Sequence, residues 1–423
     1  MQRRRNFPKR TTRGCADLRL AVVSPFVDRQ HGTERALAEL LERLARDEHC
    51  EIHLYSHRVE GLALAHPDVA RPQDSGAIIW HKVRSIPGPY LLRFLAWLFL
   101  NSVARAWDRW IHGLRFDLVL SPGINCLDAD VVIVHALFHR LQELANEENR
   151  DAARPSLLRR FHRRVYYAFL AGLERRIYTN PKVSLAAVSQ RTSALLEDYF
   201  RRQDVRVIPN GVDTAHFSPS ARLALRAEAR LRRNFQETDF VLLLVGNDWR
   251  VKGLETILRA MSVLRDLPIL VIAAGDDSPD SFRETAGSLG ILERCRFERP
   301  REDVLDFYAA ADLYVSPSRE DSFGLPVAEA MACGLPVITS IHAGVASLIH
   351  DEKDGFILRQ PDDFQSLAQL LQRFYAGKVL RGNIGDAASK AVLQWTWARN
   401  AAEVWELLRN TAVKKRQLPA RKP

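Results

Sequence analysis

Between residues 240 and 340 the chain alternates two hydrophobic patterns. Residues 241–245 (Val-Leu-Leu-Leu-Val), 269–274, 295–298, 313–317 and 336–340 are short, largely apolar runs of strand length. Residues 254–264, 281–289, 302–311 and 326–333 instead repeat apolar positions at helical spacing. Strands that are apolar on both faces belong inside a parallel sheet covered by helices. The pattern predicts a doubly wound α/β sheet.

The first half repeats this grammar less clearly. Strands are predicted at 18–24, 51–55, 78–83, 117–121, 131–135 and 184–189, with a helix at 33–46 whose apolar residues fall at 36–37, 40–41 and 44–45. Two long helices, near 90–111 and 156–179, interrupt the series; the second carries Arg159, Arg160, Arg163, Arg164, Arg175 and Arg176. Residues 207–219 read as the join between halves, where Asn210-Gly211 predicts a tight turn and two prolines punctuate the exit. A last helix is expected from Trp395 to about Leu408. The organisation is then a basic flexible N-terminus (1–17), a Rossmann-like domain (18–208), a linker (209–219), a second Rossmann-like domain (220–394), a helix returning toward the first domain (395–410) and a basic tail (411–423). The two domains are expected to face a cleft.

Composition narrows this picture. A chain of 423 residues, 47% hydrophobic, exceeds the usual single domain and can bury two cores. Its five cysteines (Cys15, Cys50, Cys126, Cys295, Cys333) are scattered without metal-ligand spacing, which argues against a disulfide framework or a zinc site and favours a reducing, cytoplasmic setting. Residues 1–20 lack the apolar core of a secretory signal, and the most lipid-like run, 89–100, is interrupted by Arg93 and too short to span a bilayer. Net charge is +10, and residues 1–200 hold 30 Lys+Arg against 22 Asp+Glu. The first half is therefore expected to face something anionic.

Two loops carry the chemistry. In an open α/β sheet, ligands bind where loops leave the carboxyl ends of the strands. The first loop, Gly246-Asn-Asp-Trp-Arg-Val-Lys-Gly253, turns at Gly246 and places Arg250 and Lys252 before a helix N-terminus, a setting that neutralises a diphosphate. Read alone, the pair is equally two solvated surface cations. The second runs from Glu320 to Pro336. Gly324 permits close backbone approach, and Pro326 suits the first turn of a helix whose N–H groups near Gly324 and Leu325 would face an anion. Glu329 is expected in that first turn, eight positions after Asp321, so the two carboxylates reach different parts of one bound molecule. Stabilisation of its own helix is the structural alternative for Glu329.

The second string resembles the E-x7-E signature of family-4 glycosyltransferases, which have the GT-B fold. The loop at 246–253 resembles that family's phosphate-binding loop, 208–213 its interdomain segment, and His31-Gly-Thr-Glu-Arg35 its Gly-Gly-x-Glu-Arg loop. The pieces recur in family order from about residue 18 to 408. The resemblance implies that Arg250 and Lys252 hold the donor diphosphate, with the backbone of Phe323, Gly324 and Leu325 at the sugar and β-phosphate. It further implies that Glu329 binds the ribose hydroxyls and Asp321 a hydroxyl of the transferred sugar. Gly32 would let the first domain's loop close over the phosphates, and His135 would face the sugar, with His139 as a nearby competitor. The family retains anomeric configuration and needs no metal. Two departures stand out: Asp321 occupies the position of the first glutamate, with Glu320 one residue out of register, and His31 stands in place of a glycine.

The expected activity is transfer of a hexose from a nucleotide-diphosphate sugar, UDP-hexose or GDP-mannose, to a glycan or glycolipid in surface-polysaccharide or lipopolysaccharide assembly. No cofactor or metal is expected. A nucleotide-sugar epimerase of the same fold is the alternative enzyme. Asp128-Ala-Asp130 matches the D-x-D motif of metal-dependent GT-A transferases, but it precedes a strand where a metal carboxylate belongs at a strand's exit. The arginine helix also permits a nucleic-acid binder, yet no recognised nucleic-acid module accompanies it. An anionic membrane surface meeting residues 89–111 and the arginine helix is preferred, with the protein peripheral on the cytoplasmic face.

Overall fold

The computed structural model describes residues 18–65, 76–151, 157–301 and 303–417, and its chain forms two compact units. One comprises residues up to 188, 192–208 and 400 onward; the other comprises 189–191 and 209–399.

The first unit contains β1 (Arg19–Val23), β2 (Phe26–Val27), β3 (Glu51–Ser56), β4 (Arg58–Val59), β5 (Ala77–Lys82), β6 (Leu118–Pro122), β7 (Val131–Val134), β8 (Ser184–Ala187) and β9 (Val205–Val207). β2 and β4 pair with each other; the rest form a parallel sheet in the order β5-β3-β1-β6-β7-β8-β9. Its helices are α1 (Gly32–Arg46), α2 (Tyr90–Ile111), α3 (Phe138–Asp151), α4 (Leu157–Tyr178) and α5 (Gln190–Phe200). All five residues of β1 and all four of β7 are buried, as strands covered on both faces must be.

The second unit follows with α6 (Pro219–Leu231), β10 (Phe240–Val245), α7 (Leu254–Val263), β11 (Ile269–Ala274), α8 (Asp280–Ser288), β12 (Cys295–Glu298), α9 (Leu305–Ala310), β13 (Leu313–Ser316) and α10 (Leu325–Ala332). It ends with β14 (Val337–Ser340), β15 (Phe356–Leu358), α11 (Phe364–Ala376), α12 (Lys378–Ala391) and the start of α13 (Trp397–Gln417). Its parallel sheet runs β12-β11-β10-β13-β14-β15. Leu242 and Leu244 of β10 and Val271 of β11 share one core with Leu254, Leu258 and Met261 of α7 and Leu367, Leu371 and Phe374 of α11. Burying each such side chain stabilises the fold by about 1.5–3 kcal/mol. Strand order reverses beside β10, which lies between β11 and β13, so the loops leaving β10 and β13 flank the topological switch point, where open α/β sheets bind ligands.

Several elements depart from the expectation. The Asn210-Gly211 step makes no left-handed turn. Gly211 is required by crowding, since a Cβ there would lie 2.2 Å from the Trp397 nitrogen. Residues 209–219 group with the second unit, and Ser218 caps α6 by accepting from the Ala221 N–H. The last helix does not stop near residue 408 or 410 but reaches Gln417. Lys415 extends it by pairing with Asp130 at 2.7 Å and reaching the Asp117 carbonyl at 3.1 Å. The expected N-terminus 1–17, residues 418–423 of the tail and the side chains of Arg159, Arg160 and Arg163 lie outside the described residues.

Candidate functional site

The loop after β10 is shaped by its neighbours. Gly246 turns at φ 133°, and Asp248 follows at φ 60° with its N–H held by the Asp277 carboxylate at 2.7 Å. Asn247 Oδ1 accepts the Asp276 N–H at 2.9 Å, which ties this loop to the one after β11. Buried Trp249 packs against Phe282 and Phe297 and anchors the middle. Gly253, the N-cap of α7, sits at φ 84° against the loop after β13; a Cβ there would lie 2.2 Å from the Pro317 carbonyl oxygen. The Arg319 N–H donates to the Val251 carbonyl at 2.7 Å across the same junction. Because the two loops meet, Lys252 Nζ comes 2.5 Å from Asp321 Oδ2. Arg250 is exposed and has no ion-pair partner among the described residues.

The loop after β13 is fastened to the one after β14. Asp321 N–H donates to the His342 carbonyl (3.1 Å), Gly344 N–H to the Asp321 carbonyl (2.8 Å) and Val345 N–H to the Phe323 carbonyl (2.6 Å). Phe323 and Leu325 are buried, and Gly324 at φ 96° opens α10. No side chain caps that helix; Pro326 carries no N–H and the Val327 N–H donates to the Gly324 carbonyl at 3.0 Å, so the backbone of Gly324 and Leu325 is what can meet an anion. Glu320 points elsewhere: Arg191 holds its carboxylate at 2.6 and 3.2 Å. Of the two adjacent carboxylates, Asp321 is therefore the one beside Lys252.

Glu329 does not lie in the first turn of α10. It is the fifth residue of the helix, almost fully buried, and its Oε2 accepts from the Tyr308 hydroxyl at 2.7 Å. Burial and the neighbouring Glu329 push the Tyr308 phenol well above its ordinary value, so it stays a donor. Stabilisation of the helix by Glu329 loses force at this position, because dipole effects fade beyond the first turn.

In the first unit, Gly32 opens α1, and His31 before it is its N-cap residue. His31 Nδ1 meets Asp28 at 3.0 Å, while Asp28 also takes the N–H groups of Gln30 and His31. Burial alone would raise the Asp28 pKa, but these bonds outweigh it and bring it down. His135 follows directly on β7 and is partly buried; desolvation pushes it down to about 4, so it is neutral at pH 7. His139, the competitor, is committed to structure. Its Nδ1 lies 2.6 Å from Glu174, which also accepts the N–H groups of Phe138 and His139 and so caps α3. The D-x-D carboxylates are likewise engaged: Asp128 pairs with Arg105 at 2.6 Å, and Asp130 accepts from Val119 N–H and Lys415. Among the described residues no group of three or more His, Cys, Asp and Glu has metal-holding geometry.

Residues 31–216 match the family described as Glycosyltransferase Family 4, and residues 226–391 match Glycosyl transferases group 1. The chain belongs to the family-4 glycosyltransferases. A D-inositol 3-phosphate glycosyltransferase of Salinispora arenicola is 32% identical over 219 residues, 48% of this chain and 49% of that protein. The chain thus spans about half the length of the first curated relatives it matches. A relative of the same name from Streptomyces scabiei is 27% identical over 88% of this chain and 84% of its own. Among solved structures, WaaG, a glycosyltransferase involved in lipopolysaccharide biosynthesis, aligns with a TM-score of 0.72 at 20% identity, covering 92% of this chain and 99% of that one. Anabaena Alr3699/HepE in complex with UDP-glucose aligns at 0.68 with 18% identity, covering 93% and 100%. These likenesses show the GT-B fold.

In this family-4 chain the structure gathers Gly246, Arg250, Lys252, Asp321, Phe323, Gly324 and Leu325 onto the two loops and helix start at the β10/β13 switch point, with Glu329 one turn further along α10. Gly32 and His135 belong to the other unit, each in a segment that follows a strand's carboxyl end. Arg191 and Tyr308, the partners of Glu320 and Glu329, escaped the sequence reading because 129 and 21 residues separate each pair. A tyrosine in α9, whose other polar residue is Asp306, is the signal the sequence offers.

Proposed function

We propose that this family-4 glycosyltransferase transfers a hexose, with retention and without a metal ion, from a nucleoside-diphosphate sugar to a glycan or glycolipid hydroxyl. The observation that carries the reading is the Lys252–Asp321 pair at the switch point, beside exposed Arg250 and the uncapped start of α10. Breaking the sugar–phosphate bond builds negative charge on the departing diphosphate. Lys252, Arg250 and the N–H groups of Gly324 and Leu325 offset that charge, and preorganised groups of this kind act most strongly where charge develops. Asp321 accepts from a sugar hydroxyl, and Glu329, oriented by Tyr308, from the ribose. A donor phosphate oxygen takes the acceptor's proton, so no protein base is needed for that transfer, and neutral His135 contributes a polar contact to the sugar.

HepE's complex with UDP-glucose supports a uridine donor and a glucose-like hexose, with GDP-mannose as second choice. For the acceptor, WaaG supports lipopolysaccharide or related surface-glycan assembly, and the curated relatives' name supports a phosphorylated polyol. Action at the cytoplasmic face of a membrane fits the glycolipid acceptor. No described helix is long and apolar enough to cross one.

The test is a thermal-shift series with UDP, GDP, ADP, CMP and dTDP, each with and without EDTA, followed by transfer assays with the stabilising nucleotide's sugars. Selective stabilisation by one diphosphate that survives chelation is expected, and a ligand at 100 times its Kd adds about 2.7 kcal/mol. Stabilisation by none, or only with metal, overturns the donor site. Isomerisation of the donor without transfer would support the epimerase instead.

A further inference from the structure

Helix α2 turns apolar residues both inward and outward. Leu92, Leu95, Phe99, Val103, Trp107 and Trp110 recur every three to four residues, so they share one helix face. All six are exposed, Phe99 at 67% and Trp110 at 84%. The inward face is separate: Trp97, Leu98, Asn101 and Arg105 are buried, and the Trp97 indole donates to the Asn125 carbonyl at 3.0 Å. The outward stripe from Leu92 to Trp110 extends about 27 Å at 1.5 Å per residue. Contiguous exposed apolar surface of that length marks an interaction site.

Charge selects the partner. Asp108 is the sole acidic residue of α2, and it is turned inward, accepting from Tyr55 at 2.7 Å and pairing with His81 at 2.8 Å. The outward stripe therefore carries no negative charge. Arg93 and Arg109 are exposed along the helix, and Arg84 and Arg115 are exposed just beyond its ends. Phe94, on the inward side, packs edge-on against Phe169 of α4, a helix on which Arg164 is also exposed. Phe99 in the middle of the apolar stripe and Trp107 and Trp110 at its C-terminal end, with guanidinium groups beside it, suit the boundary between headgroups and acyl chains.

We infer that α2 is an in-plane membrane anchor, its Leu92–Trp110 stripe seated in the surface of a bilayer rich in anionic phospholipid. The anionic headgroups neutralise the flanking arginines while the tryptophans and Phe99 enter the acyl boundary. This anchor stands independently of the donor-site reading, because it is assayed without turnover.

The experiment is flotation of the full chain with vesicles of phosphatidylcholine alone and of phosphatidylcholine with 30% phosphatidylglycerol, at low and high salt. The triple variant Phe99→Ser, Trp107→Ser, Trp110→Ser is run in parallel, with thermal melts of both proteins. The wild type is expected to float with the anionic vesicles and to be depleted at least fivefold from the floating fraction by zwitterionic vesicles. The triple variant is expected to stay in solution at an unchanged melting temperature. A wild type that remains in solution with anionic vesicles overturns the inference, as does a triple variant that floats equally well. A lipid-free dimer that the triple substitution dissociates, with no flotation of the wild type, assigns the stripe to a second copy of this chain and also overturns it.

Discussion

Lys252 and Asp321 are 69 residues apart in sequence and 2.5 Å apart in space, while Glu320 beside Asp321 is bound by Arg191. The two carboxylates therefore have different work. Glu320→Gln weakens a largely buried pair, and its expected cost is about 1–2 kcal/mol of stability with little change in transfer. Asp321→Asn leaves that fastening intact and is expected to lower kcat/KM for the sugar donor by about 100-fold, the scale of one transition-state contact. Steady-state kinetics beside urea denaturation separates the two. Equal kinetic losses in both variants would contradict the assignment. Replacing Arg250 and Lys252 together by alanine is expected to abolish transfer while the chain still melts cooperatively, and wild-type turnover would move the donor site elsewhere. Lys252 and Asp321 were legible in the sequence because a glycine-rich loop and a strong motif carry them. Arg191 and Tyr308 were not, because their importance arises from contacts that local patterns do not encode.

At the scale of elements, strands with continuous apolar runs were legible nearly to the residue, as β10, β11 and β13 show. Burial on both faces leaves them little freedom in composition. Among the elements that went unread, β9 is three partly buried residues and α12 mixes Gly382, Asn383 and Gly385 into its length, whereas α11 went unread although Leu367, Ala368, Leu371 and Phe374 recur at helical spacing. The two site helices differ in a way that makes a prediction. Gly253 and Gly324 both hold left-handed backbone, yet a Cβ at 253 meets the Pro317 carbonyl at 2.2 Å, whereas at 324 the nearest atom is a Val345 methyl at 3.2 Å. Gly324→Ala then costs mainly backbone strain, about 1–2 kcal/mol. Gly253→Ala must in addition push two loops apart, and its expected cost is larger, about 3 kcal/mol or more by the same backbone reckoning plus a lost junction. Chemical denaturation of the two variants checks the order, and a Gly324→Ala variant less stable than Gly253→Ala would contradict it.

For the whole molecule, buried titratable groups in the first unit set the acid limit. Glu51 accepts from Arg19 and His53, and His53 meets His81 at 2.8 Å, which reaches Asp108. Burial alone would raise the Glu51 pKa, but the His53 and Arg19 bonds bring it down to about 2, below its ordinary 4.5. Its stabilisation is complete above pH 4.5 and is lost as pH falls toward 2. His135 acts in a higher window. Desolvation lowers it from 6.5 to about 4, so between those values the unfolded chain binds a proton that the folded chain refuses. Stability should fall across that range, by at most about 3 kcal/mol, and stay lost below it. His53, also lowered, first by burial, adds to the same fall. Acidification should thus weaken the protein in two stages, the first beginning near pH 6.5 while the carboxylates are still ionised. His135→Gln removes one contributor to the first stage and leaves Glu51 untouched. Urea denaturation at pH 7.5, 5 and 3.5 should show the variant losing less stability than the wild type over both intervals, with the larger part of the difference between 7.5 and 5. If both proteins lose the same amount between pH 7.5 and 5, His135 is not held neutral by its surroundings in that range.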